Sequence, residues 1–153
     1  MKLKIIILVL GIIANSCSKS NDEPKVEPLD LLVMEFPQRW DLFQMSSGMV
    51  PNLEITGDEM KYQEYYIFYK DNTFSKTRIQ DQEVITEKGS YSIAEMDNRQ
   101  AFRLRFNQDN DLIGNCSMEP VEFLYLDDDN KTLLSNWWAC DGPGLFYAQT
   151  EIK

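Results

Sequence analysis

The chain has 153 residues, with 25 acidic against 15 basic side chains, a formal net charge of -10 and no histidine. That charge repels polyanions and no lysine or arginine cluster overrides it, so neither nucleic acid nor an anionic headgroup surface is expected as a partner. Without histidine there is no Ser-His or Cys-His pair, and no G-x-S-x-G or S-x-x-K motif is present, so no enzyme, cofactor or metal is expected. At the N-terminus Lys2 and Lys4 form a positive head, residues 5–13 an apolar run, and Ala14, Asn15 and Ser16 a small-residue exit directly before Cys17. This is the three-part layout of an export signal, and its apolar run is far shorter than the about 20 residues a membrane-spanning helix needs.

The stretch resembles the signal peptide of bacterial lipoproteins, with Ala14 and Ser16 where leucine and a glycine or alanine are usual. The resemblance implies that Cys17 is diacylated and becomes the first mature residue, since two or three acyl chains anchor stably where one holds marginally. Ordinary cleavage after Ser16, with Cys17 incidental, is the alternative. Removing residues 1–16 takes Lys2 and Lys4 with it and leaves 137 residues at net -12, enough for one domain. Residues 18–28 are polar, charged and proline-punctuated, as a tether is. The chain thus divides into a signal (1–16), a lipidated cysteine and tether (17–35) and one folded domain (36–153). Asp22 and Glu23 resemble the surface-export signal of Bacteroidetes-type lipoproteins and equally suit a solvated linker. The expected location is the cell envelope, anchored in the outer membrane through the N-terminal lipid, on either face.

With Cys17 assigned to lipid, Cys116 and Cys140 remain as an even pair in an exported chain. A disulfide across their 24-residue separation is expected, stabilising the fold by about 3 kcal/mol through loop closure. Two buried free thiols, or half of a metal site, are the alternatives, though nothing is left to complete a zinc set.

Beyond a helical turn expected within residues 29–36, the pattern is strand after strand. Residues 39–45 form the first, followed by a long loop to Gly57 and Asp58; residues 60–69 are aromatic-rich, as strands favour. Asp71 and Asn72 are expected as a two-residue hairpin turn into residues 73–79, and Asp81 and Gln82 turn again. Residues 83–87 and 89–93 continue the next strand, where Gly89 permits a bend or bulge. Phe102, Leu104 and Phe106 alternate with Arg103 and Arg105, giving one buried face and one wet one. A polar turn at 107–111, a short piece at 112–116, a strand at 120–126 with Val121, Phe123 and Tyr125 on one side, and a strand at 131–139 follow. Cys140 to Gly144 makes a tight corner before the last strand, 145–151. About eight strands at this spacing suit an antiparallel barrel or sandwich.

The strands resemble the lipocalin-like domains of small bacterial lipoproteins. The likeness rests on Trp40-Asp41-Leu42 on the first strand, Tyr66-Ile67-Phe68 leading into Asp71-Asn72-Thr73-Phe74, and Gly89-Ser90-Tyr91. Gln38 stands where the glycine of the G-x-W signature belongs. The resemblance implies an all-β, eight-stranded antiparallel barrel of calycin type that binds a small apolar or amphipathic ligand. Trp40, Tyr66, Phe68, Tyr91, Trp137 and Tyr147 are the candidate wall. The alternative is an interior filled by those same aromatics, with the Cys140–Gly144 corner and the 46–57 loop gripping a partner protein. Adjacent Trp137 and Trp138 are expected on opposite faces of one strand. Asp127, Asp128, Asp129 and Asn130, like Asp109 and Asp111, read as solvated turns lacking calcium-loop spacing. Glu64 and Glu83 are carboxylates that nothing in the spacing singles out.

Overall fold

The computed structural model describes residues 30, 31, 34–47, 53–96, 98–127 and 131–152. The signal, Cys17 and most of the tether lie outside them. Of the helical turn expected within residues 29–36, residues 29, 32 and 33 lie outside the described set; Leu31 sits in a turn with its side chain sunk completely into the core, and Phe36 stacks on Tyr91 at 6.0 Å between ring centres.

Among the described residues nine strands form one antiparallel sheet: β1 (Gln38–Ser46), β2 (Glu54–Thr56), β3 (Gln63–Phe68), β4 (Thr73–Gln80), β5 (Glu83–Met96), β6 (Arg99–Phe106), β7 (Val121–Leu126), β8 (Thr132–Ser135) and β9 (Gly144–Thr150). Their order is β2-β1-β3-β4-β5-β6-β7-β8-β9, and β1 also pairs with β9. Eight strands therefore close into a barrel, with β2 added beside the second half of β1. Closure pairs every barrel strand on both sides over at least part of its length, which covers most of the edge that would otherwise recruit other chains.

Turn chemistry fixes the registers. Gln80 pairs with Glu83 across Asp81 and Gln82, whose φ values of 52° and 70° match a two-residue primed turn. The hairpin at Asn72 (φ 62°) is longer than expected, with residues 69–72 turning between Phe68 and Thr73. Gly89 carries no bulge; it sits where β5 begins to pair with β6, and a Cβ there would lie 2.1 Å from the Arg105 carbonyl oxygen and 2.7 Å from the Phe74 ring. The register shift falls in β1 instead, between Leu42 and Gln44 against β9.

The strand expected at 120–126 is found with Phe123 and Tyr125 sharing one side, whereas the strand expected at 131–139 ends early because the chain turns there to bring Cys140 to Cys116. On β7 the inward residues are Glu122, Leu124 and Leu126, with Phe123 and Tyr125 on the outer side. β8 stops at Ser135, and Trp137–Cys140 is a 3-10 turn, so Trp137 and Trp138 do not share a strand. Residues 112–116 form no strand and belong to a loop, 107–120.

The tether and its partners define one end of the barrel. The Leu31 N–H donates to the Gln100 side chain at 2.8 Å, and Gln100 donates back to Asp30 at 2.9 Å, beside the turn between β5 and β6. The far end carries the β4–β5 turn, the 107–120 loop and the 136–143 corner. Towards the tether end the interior is apolar: Trp40, Phe68, Phe102 and Tyr91 interlock, with Phe68 and Phe102 stacked at 4.1 Å and Tyr91 edge-on to both.

Candidate functional site

Towards the far end the interior becomes ionic. Alternation places Glu64, Tyr66 and Phe68 of β3 inward, and Phe74, Lys76 and Arg78 of β4 likewise. The register sets Glu64 directly opposite Arg78 and Tyr66 opposite Lys76, while Glu122 enters from β7 and Tyr147 from β9. Two cations and two carboxylates thus meet inside the barrel. The Lys76 side chain is wholly buried and Arg78 is 13% exposed.

Lys76 Nζ donates to the Glu122 carboxylate at 2.7 Å and to the Leu112 carbonyl at 2.6 Å, and lies 3.3 Å from Glu64. Arg78 grips the other Glu64 oxygen at 2.7 Å through Nε and the terminal nitrogen, and its Cζ lies 4.0 Å from the centre of the Tyr62 ring. Tyr66 donates to Glu122 at 2.8 Å and Tyr147 to Glu64 at 2.6 Å; the Gly114 N–H also donates to Glu122. Each buried charge has an opposite charge and further hydrogen bonds, the condition under which burial is tolerated. Burial, and then the neighbouring carboxylates, push the Tyr66 and Tyr147 hydroxyls well above the usual phenol range. Burial pulls the Arg78 guanidinium down, but Glu64 prevails and holds it above its ordinary value.

The partners of this network include a loop. Leu112 and Gly114 supply a carbonyl and an N–H, and Arg78 reaches the Asp111 and Leu112 carbonyls at 3.3 and 3.4 Å. The same loop is strapped outside by the Cys116–Cys140 disulfide, with Cα atoms 5.6 Å apart, as the sequence led us to expect. Trp137 lies over both ends of the strap: a Cβ at Gly114 would come within 2.8 Å of its ring and one at Gly142 within 2.5 Å. Covalent and ionic ties therefore close the far end of the barrel together.

Of the six aromatic candidates, Trp40, Tyr66, Phe68 and Tyr147 are at most 1% exposed, and Tyr66 packs on Phe68 and Tyr147 at 5.9 and 5.1 Å between ring centres. Tyr91 is 7% exposed, its hydroxyl donating to the Tyr69 carbonyl, and Trp137 is partly buried at the far end. Trp40 donates to the Gln38 side chain at 3.1 Å, so Gln38 in place of glycine serves as its partner. Openings are found at the rims. One of 750 Å³ lies by Pro37, Gln38 and Thr150; one of 420 Å³ by Arg78, Asp81 and Asp111; and one of 270 Å³ between Ser46, Leu134, Trp138 and Phe146. Glu64 and Glu83 are not brought together, Glu64 being in the network and Glu83 exposed beside the β4–β5 turn. Asp109 and Asp111 lie in the exposed part of the 107–120 loop, and residues 128–130 are outside the described set.

Lys76, Arg78 and Glu122 were not signalled by residue type. The signal available was register, since a hairpin pairing Phe68 with Phe74 commits Lys76 and Arg78 to the interior two and four residues on. The closed antiparallel barrel of eight strands is consistent with a lipocalin-like fold; compared with protein-family models, curated proteins and solved structures, the chain matches none.

Proposed function

We propose that this chain is a lipid-anchored, non-enzymatic protein of the cell envelope, held at the outer membrane through Cys17, whose filled barrel presents its far rim to a partner protein. One observation carries the reading. The side chains that a barrel ligand would touch are packed against one another, while most large exposed apolar residues, including Ile79, Val84, Ile85, Met118 and Trp138, lie on the elements of the end opposite the tether. A soluble surface seldom gathers such residues without something to cover them.

Native mass spectrometry of the protein extracted from membranes tests this. Acyl chains on Cys17, lost in Cys17→Ser, and no stoichiometric small molecule are expected. An apolar molecule retained one-to-one, or an unprocessed chain in the soluble fraction, refutes it.

A second reading has its own support. The 270 Å³ cleft sets the half-exposed Trp138 beside Phe146, with the Ser46 and Ser47 hydroxyls at its edge, which suits a small amphipathic ligand. Retention of such a ligand, abolished by Trp138→Ala, favours that reading over the first.

A further inference from the structure

We propose that the free edge of β5 at residues 84–88 is a strand-addition site for an extended, basic segment of a partner protein. This deepens the filled-barrel adaptor reading by naming its contact surface and the chemistry of its partner.

β5 has 14 residues, and only Gly89–Met96 pair with β6. Before Gly89 the strand pairs with β4 alone. β6 ends at Phe106, the Asn107 N–H donates to the Lys88 carbonyl at 3.0 Å, and the chain then leaves into the 107–120 loop. Because Gln80 and Glu83 close the two-residue turn, odd-numbered β5 residues bond to β4 and even-numbered ones face the other way. The Lys88–Asn107 bond fits that parity. The N–H and C=O of Val84 and Thr86 and the N–H of Lys88 therefore point outward, and among the described residues no segment pairs with them.

Natural edges of this kind are shortened, bulged, or guarded by proline and inward charge. This one has no proline and no register shift; its charges are Glu83 and Glu87, on the face shared with Arg78, and Lys88, and between them it carries Val84 at 65% and Ile85 at 46% exposure, with Ile79 at 40% paired to Val84. It also stands away from the tether. β5 is roughly 45 Å long at about 3.3 Å per residue, and Leu31 docks on Gln100 at its opposite end.

Charge selects the occupant. Asp81, Glu83 and Glu87 line the ribbon, Arg78 is committed to Glu64, and Lys88 is the one cation on the edge. A second copy is a poor fit. Each mature copy, without Lys2 and Lys4, carries a net charge of -12, and twofold pairing centred on Ile85 sets Glu83 against Glu87, while pairing centred on Glu87 sets it against itself. Like charges directly opposed destabilise a ladder. Centred on Thr86, pairing sets Ile85 against Glu87. A strand alternating lysine or arginine with β-branched residues instead places its bases against Glu83 and Glu87 and its apolar side chains beside Val84.

The test uses the mature chain, ¹⁵N-labelled, and a blocked hexapeptide alternating lysine or arginine with valine; the control has glutamate at each basic position. At saturation the basic peptide is expected to slow amide exchange at Val84 and Thr86 at least tenfold, leaving Ile85 and Glu87 unchanged. The acidic peptide should do nothing. Thr86→Pro removes an outward N–H at an edge position where proline is tolerated, and Val84→Asp adds repulsion without touching the backbone; each should abolish the effect. No response at millimolar peptide, an equal response to the acidic control, protection elsewhere, or a concentration-dependent dimer protecting the same amides without peptide overturns the proposal. A ligand in the barrel defeats the filled-barrel reading without touching this edge, whereas an edge indifferent to peptide on a ligand-free barrel defeats this inference alone.

Discussion

Lys76→Met removes one of the two cations facing Glu64 and Glu122 and leaves the apolar stem in place, so the variant reads the charge rather than the volume. The wild-type network balances two positive against two negative groups, with Lys76 Nζ against Glu122 at 2.7 Å and the Leu112 carbonyl at 2.6 Å. The variant leaves two buried carboxylates with Arg78 alone, and the Leu112 carbonyl without its donor. Breaking a buried pair from one side costs about 3–5 kcal/mol, a large part of the roughly 5–15 kcal/mol that holds a typical domain. In urea unfolding the midpoint should fall accordingly with the slope unchanged. Adding Glu122→Gln restores neutrality; its amide oxygen accepts from the Gly114 N–H and its NH2 can donate to the Tyr66 hydroxyl oxygen, so the double variant should lose less than Lys76→Met does. The expected coupling is about 1–3 kcal/mol. A single-variant loss under about 1 kcal/mol, or losses that simply add, would show that the four charges do not depend on one another and would refute the reasoning.

What was legible in the chain was whatever local chemistry decides. Asp81-Gln82, the alternation from Phe102 to Phe106 and the Cys140–Gly144 corner each specify their own conformation; their spacing suited a barrel or a sandwich, and the closed barrel of eight strands was what the lipocalin-like resemblance implied. The cysteine pair was legible because only two thiols remained once Cys17 was set aside. The ionic interior was not, because the rule that charged residues face water is a statement about cost, and reciprocal pairing removes the cost. Nothing in the chain around Lys76 and Arg78 marks their side as the inner one, because the carboxylate that Lys76 bonds, Glu122, comes from 46 residues beyond it. Trp137 and Trp138 misled for a related reason: their size suggests a strand, while the chain there must turn to bring Cys140 to Cys116. Local propensity yields where a long-range tie fixes the path.

Gly89→Ala should destabilise the barrel by about 1–3 kcal/mol or more, because the new methyl has only the Arg105 carbonyl and the Phe74 ring to enter; thermal unfolding measures it, and an unchanged midpoint contradicts the close approach. Replacing Cys116 and Cys140 together by serine should cost about 3 kcal/mol by loop closure, with exchange quickening first at the Leu112 and Gly114 amides; uniform quickening across the barrel would deny the loop its separate role. Alkaline pH probes the same interior through Tyr66 and Tyr147, whose hydroxyls are held protonated well above the ordinary range by burial and by Glu122 and Glu64. In the unfolded chain both ionise near pH ~10. Below that value their contribution to stability is complete. As pH rises past it the unfolded state sheds protons that the native state keeps, so stability falls by about 1.4 kcal/mol per pH unit for each tyrosine until the native hydroxyls titrate. Urea midpoints between pH 9 and 11 should trace that decline, and Tyr147→Phe should make it shallower by one tyrosine's share. The comparison separates the phenols from the general repulsion of an acidic chain, which both proteins feel alike. Identical slopes would mean that Tyr147 ionises freely in the folded barrel, and a network in which it donates to a buried Glu64 would then be untenable.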